Sequence, residues 1–167
     1  MCGGYRPGMS TTTTGRVANL AADVGVGLLA GALGTVAMTL SSTIEMKITQ
    51  RGASSTPEDA AGVVLGVRPA SEAGQQRLGT LVHWGYGIAW GAVRGLVGAT
   101  GLRGPAAALT HFGLVWGGEQ VVLPATGAGK PTWSYGGAAL ATDAWHHAVY
   151  AAASSGGYEW LDRHRGR

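Results

Sequence analysis

Charged side chains disappear from the chain between Asp23 and Glu45. The intervening stretch, Val24 to Ile44, reads VGVGLLAGALGTVAMTLSSTI, 21 residues without a charge. A hydrocarbon core about 30 Å thick takes about 20 residues of helix to cross, so this stretch predicts a transmembrane span over about 20–46. Gly27, Gly31 and Gly34 share one helical face with Ala30 and Ala37. Small residues at that spacing let a second helix approach closely in lipid.

Three further stretches repeat the device less cleanly. A second span is expected over about 78–100, where Gly87, Gly91 and Gly95 recur every fourth residue, and a third over about 105–126, with Gly113 and Gly117. Leu102, Arg103 and Gly104 are nearly the whole connection between them, which predicts an antiparallel hairpin. A fourth span follows the Gly127, Gly129, Pro131 turn, over about 132–155. Between spans one and two, Thr56-Pro57-Glu58-Asp59 combines a capping hydroxyl, a first-position proline and acids in the first turn. It predicts a short interfacial helix over about 57–67, ending at Gly66 or before Pro69. Residues 1–16, with Gly3, Gly4, Pro7, Gly8 and the Thr11–Thr14 run, read as a disordered tail. A single membrane domain occupies 17–160, and 161–167 read as a basic tail. The expected fold is all-α: a four-transmembrane-helix bundle with one interfacial helix.

Composition agrees. Charged residues make up 13% of the chain, about half the level of roughly 25% usual in soluble domains. The 30 glycines suit close helix packing in lipid better than a soluble helical core, where each interior glycine costs about 1 kcal/mol. Cys2 is the single cysteine, so neither an internal disulfide nor a cysteine metal site is available. No basic run with interleaved aromatics points to nucleic acid. No apolar signal core precedes the first span, which is therefore expected to direct insertion. Four spans place both termini on one side, with Arg6, Arg16, Arg103, Arg163, Arg165 and Arg167. The other side carries Lys47, Arg51, Arg68, Arg77 and Lys130. Six against five favours cytoplasmic termini.

Ionisable residues inside the spans are the candidate chemistry: His83, Arg94, His111, Glu119, Asp143, His146 and His147, with Glu45 at the edge of the first. A charge near mid-membrane costs at least about 2.5–3.5 kcal/mol, so these groups are expected to face one another. At 1.5 Å per residue, Glu45, His83 and Glu119 fall toward the side away from the termini. Arg94, His111, His146 and His147 fall toward the side of the termini, with Asp143 slightly deeper. Asp143 and His147 share a face at i, i+4, and Asp143 with His146 at i, i+3 nearly does; Arg94 is within reach of Asp143 or Glu119. Four readings stay open. The polar groups form structural pairs that hold the helices in register. They conduct a proton or small ion, or sense pH. His111 with His146 or His147 ligates a haem or a metal. The glycine ridges pack the chain against a second copy or a larger membrane complex. Catalysis has the least support, because Ser41, Ser42 and Ser134 lack an adjacent base and no HExxH is present.

Several short motifs carry a resemblance. They are Gly34-Thr35-Val36-Ala37-Met38-Thr39, Pro57-Glu58, His83-Trp84, His111-Phe112-Gly113, Glu119 before Pro124, and Asp143-x-x-His146-x-x-Val149-Tyr150. Together they resemble the YagU-like family of small bacterial inner-membrane proteins. The resemblance spans most of 28–150 and implies a helical inner-membrane protein, without an activity.

Overall fold

A computed structural model describes residues 13–52 and 56–165. The described chain is entirely helical: α1 (Thr13–Thr49), α2 (Thr56–Leu65), α3 (Glu72–Ala99), α4 (Gly104–Thr126), a 3-10 turn (Thr132–Tyr135) and α5 (Gly137–His164). Helix α2 begins where the Thr56-Pro57 start predicts, although its capping side chains lie outside the described residues. Ser71 caps α3 by accepting from the Gly74 backbone N–H at 3.2 Å. Helix α4 ends at Gly127, whose φ of 73° lets its N–H turn back onto the Leu123 and Pro124 carbonyls.

Among the described residues, α1 alone is both long and apolar enough to pass as a membrane span by composition. Helices α3 and α5 are each 28 residues and α4 is 23, long enough to cross, but glycine and alanine supply about half or more of their apolar residues. Helix boundaries also depart from the pattern. Thr13 to Arg16 belong to α1, so the tail expected over 1–16 shortens, and its first twelve residues lie outside the described chain. Helix α5, expected as a span over 132–155, starts at Gly137, because Thr132–Tyr135 is spent on the 3-10 turn. It then runs past 155 to His164, absorbing most of the expected 161–167 tail.

Helix α1 is the hub and packs on both α3 and α5, while α4 leans chiefly on α5 and touches α3 little. The α1–α3 seam is glycine on glycine. A Cβ on Gly31 would stand 2.7 Å from the Gly91 Cα, and one on Gly27 would stand 2.8 Å from the Gly95 nitrogen. Gly87 makes room for Thr35, and Gly34 makes room for Tyr150 and Ser154 of α5. Gly113 and Gly117 depart from this scheme, since nothing lies within 4 Å of a Cβ at either. This ridge of α4 therefore borders open space rather than a neighbouring helix.

The interior mixes small apolar residues such as Val26, Ala30, Val97, Ala107 and Val115 with polar side chains, while many large apolar side chains are exposed. The largest fully buried side chains are Arg94, Tyr150, Tyr158, His111, Thr35 and Ser154. Leu29, Leu40, Leu81, Leu109, Val121 and Trp145 are all exposed, on α1, α3, α4 and α5. A water-soluble helical domain has the opposite arrangement.

Candidate functional site

Two polar layers lie at opposite ends of the bundle. The layer near the termini is built by α1, α3 and the second half of α5. Arg94 donates from Nε to Ser155 Oγ at 3.0 Å and from Nη2 to Glu159 Oε1 at 3.4 Å, with its guanidinium 4.3 Å from the centre of the Tyr158 ring. Glu159 also accepts the Gly104 backbone N–H at 2.6 Å. Tyr158 donates to Asp23 at 3.1 Å, and Arg165 bridges Asp23 at 2.7 Å and Asp162. Arg103 reaches Asp162 at 3.2 Å. Burial acts to lower the Arg165 pKa, but the hydrogen bonds to Asp23 and Asp162 outweigh it and leave it above the ordinary arginine value.

Arg94 therefore pairs with Glu159, not with Asp143 or Glu119 as the spacing suggested. Sequence reasoning missed Asp23, Ser155, Tyr158, Glu159, Asp162 and Arg165 as partners because it ended the fourth span at 155. The stripe Asp143, His147, Ala151, Ser155, Glu159 at i+4 intervals was the available signal.

The layer away from the termini gathers Glu45, His83, Glu119, Asp143, His146 and His147. His146 and His147 lie here, not on the side of the termini. Because α5 starts at Gly137, residues 143–147 are only about 9–15 Å from this end. His146 Nδ1 pairs with Ser41 Oγ at 2.9 Å, and its Nε2 stands 3.8 Å from Glu45 Oε2. Glu45 in turn holds Arg51 at 2.8 Å, and that hydrogen bond raises the Arg51 pKa above its ordinary value. His83 Nε2 is 3.0 Å from Thr39 Oγ1. The Thr39 hydroxyl already donates to the Thr35 carbonyl at 2.7 Å, so the imidazole is the donor in that pair.

Glu119 of α4 with Asp143 and His147 of α5 is the tightest group. His147 Nδ1 lies 2.9 Å from the Asp143 backbone carbonyl. A carbonyl has no hydrogen to give, so Nδ1 carries one, and in the neutral ring Nε2 presents a lone pair. That Nε2 stands 3.1 Å from Glu119 Oε2, and Oε2 is buried without an aligned hydrogen bond. Asp143 Oδ2 accepts Trp116 Nε1 at 2.8 Å and Thr132 Oγ1 at 3.2 Å, while Oδ1 faces His147 Nδ1 at 3.4 Å. Thr132 belongs to the 3-10 turn, and its backbone N–H is held by Gln120 Oε1 at 2.7 Å, so the α4–α5 connection closes over this end. Neither Trp116 nor Thr132 was singled out by the sequence pattern.

His111 joins neither layer. Fully buried on α4, it lies 3.1 Å from the Trp90 carbonyl through Nε2, and its ring packs on Tyr150 at 5.6 Å. The bis-imidazole pairing of His111 with His146 or His147 is thus replaced by separate partners for each ring.

Comparison of the chain with protein-family models, with curated protein sequences and with solved structures finds no match.

Proposed function

We propose that this chain is a polytopic membrane protein in which α1, α3, α4 and α5 all cross the bilayer, and that its functional centre binds and passes a small cation at Glu119, Asp143 and His147. The membrane part of the reading is supported by the burial of Arg94, His111 and His146 together with the exposure of large apolar side chains on α1, α3, α4 and α5. At 1.5 Å per residue, even the 23 residues of α4 extend about 35 Å, enough for a hydrocarbon core of about 30 Å. The resemblance to the YagU-like family points the same way, to a bacterial inner membrane.

One observation carries the cation reading: the buried Glu119 Oε2 stands 3.1 Å from His147 Nε2 without hydrogen-bond alignment, and with the ring neutral both atoms present lone pairs. Two electron-rich atoms so placed repel unless a positive species lies with them. The charged and titratable groups around the pair are Asp143 and His146 on α5 and His83 on α3. Reconstitution of the full chain in proteoliposomes tests the reading. Cation flux, assayed with H+, Na+, K+ and divalent-metal gradients, is expected for the parent with at least one of these ions and lost in Glu119→Gln. Absence of flux in the parent, or flux unchanged in Glu119→Gln, overturns it.

A second reading, an accessory subunit, is favoured by the outward ridge of Gly113 and Gly117 on α4. Native mass measurement after mild-detergent extraction tests it: a bare monomer overturns it.

A further inference from the structure

We propose that the Glu119–Asp143–His147 group is a binding site for one divalent transition-metal ion of the zinc class. This deepens the cation reading above and rests on it for the location of the site. One donor atom from each of the three residues lies within 4.8 Å of the other two. The closest pair, Glu119 Oε2 and His147 Nε2 at 3.1 Å, already has the separation of neighbouring ligands around an ion whose bonds are about 2.0–2.2 Å long. Asp143 Oδ1, the oxygen that Trp116 and Thr132 do not engage, lies beside the same ring at 3.4 Å from Nδ1 and is the third ligand.

Ring chemistry agrees with ligation. The hydrogen on His147 Nδ1 is fixed by the Asp143 carbonyl at 2.9 Å, which leaves Nε2 as the coordinating nitrogen and sets the ring plane, the usual outer support of a metal-bound imidazole. Charge selects the ion. Two carboxylates and a neutral imidazole sum to −2, so a dication leaves the site neutral in a medium where net charge is costly, whereas a proton or Na+ leaves −1. Three protein ligands also leave a coordination position open for water, and the 3-10 turn carrying Thr132 is the element that borders the site at this end of the bundle.

The other carboxylate–imidazole pair is the natural control. Glu45 and His146 are 3.8 Å apart, and Glu45 is already committed to Arg51. The test uses the full-length chain, purified in mild detergent, stripped with chelator and dialysed against Zn2+, with bound metal counted by mass spectrometry. One Zn2+ per chain is expected. Glu119→Gln and Asp143→Asn, which keep side-chain shape, are expected to weaken binding about 100-fold, and Glu45→Gln to leave it unchanged. Co2+ in place of Zn2+ is expected to give visible ligand-field absorption that Glu119→Gln removes. Helicity and thermal midpoint measured on each variant separate lost ligation from lost folding. A folded parent that retains no Zn2+, or equal retention in folded Glu119→Gln, overturns the proposal. Monovalent-cation flux that depends on Glu119, together with no Zn2+ retention, overturns this inference alone. Zn2+ retention by a chain that alkaline carbonate extracts from membranes supports it while overturning the membrane reading.

Discussion

The Arg94 guanidinium on α3 and the Glu159 carboxylate on α5 meet at 3.4 Å, with the arginine fully buried and the glutamate also taking the Gly104 backbone N–H. Through this pair, α3, the start of α4 and the end of α5 share a single charge-neutral junction. A buried cation whose partner is removed is left uncompensated, which typically costs 3–5 kcal/mol. Glu159→Ala is therefore expected to destabilise the bundle by about that amount, with Arg94→Met–Glu159→Leu recovering part of it. Thermal unfolding in detergent, read by circular dichroism for both singles and the double, measures this. Additive losses in the double variant would show that the two groups do not act as a pair.

The glycine seam is expected to tolerate nothing larger than hydrogen. At Gly91 a Cβ would stand 2.6 Å from the Gly31 Cα, backbone that cannot swing aside. Gly91→Ala should cost about 1–3 kcal/mol through overpacking, and Gly91→Leu should separate α1 from α3. Gly117→Ala, on the open ridge, should leave stability unchanged or raise it by about 1 kcal/mol through helix propensity. A disulfide trap between α1 and α3 positions, formed in the parent and lost in Gly91→Leu, reads the separation directly.

Arg165 allows a prediction about pH. Its pKa is raised in the folded chain, so its stabilising contribution is complete below the unfolded arginine value and is lost only as pH climbs through the folded one, beyond about pH 12. Arg165→Gln is therefore expected to lower stability by about 1 kcal/mol by the same increment at every pH from about 7 to 10. Paired thermal melts across that range check it. An increment that shrank toward pH 10 would contradict the clamp.

His111 carries a structural load away from both layers. Replacing it by leucine removes the second donor to the Trp90 carbonyl, which also accepts the Arg94 N–H within α3, at the place where α4 meets α3. The expected loss is about 1 kcal/mol. Cation flux, normalised to folded protein, is expected to persist in His111→Leu. Its abolition with folding intact would move His111 into the conducting machinery.

Much of the helical architecture was legible before any coordinates. The uncharged run from Val24 to Ile44 announces α1 because charge exclusion is a local property of composition. Gly66, with φ of 66°, and the Thr56-Pro57 start bracket α2 because caps act through neighbouring residues. The hairpin connection at 100–103 was equally visible, since a short linker leaves adjacent helices no choice but to reverse. The end of α5 was not: Gly156, Gly157, Glu159 and Asp162 look like a departure from lipid, yet each glutamate and aspartate there has a cationic partner on another segment.

By itself, the sequence determined that this protein is helical, that its helices carry small-residue faces, and that a few ionisable groups must face inward, because each of these follows from local composition and spacing. Tertiary structure decided which of those groups meet. With α5 beginning at Gly137 rather than 132 and ending at His164 rather than 155, His146 and His147 lie in the opposite layer, beside Glu45 and Glu119, and Arg94 meets Glu159. Pairing between helices depends on their axial register, and register is set by the sum of glycine contacts and turn geometry over the whole bundle, which no single stretch encodes.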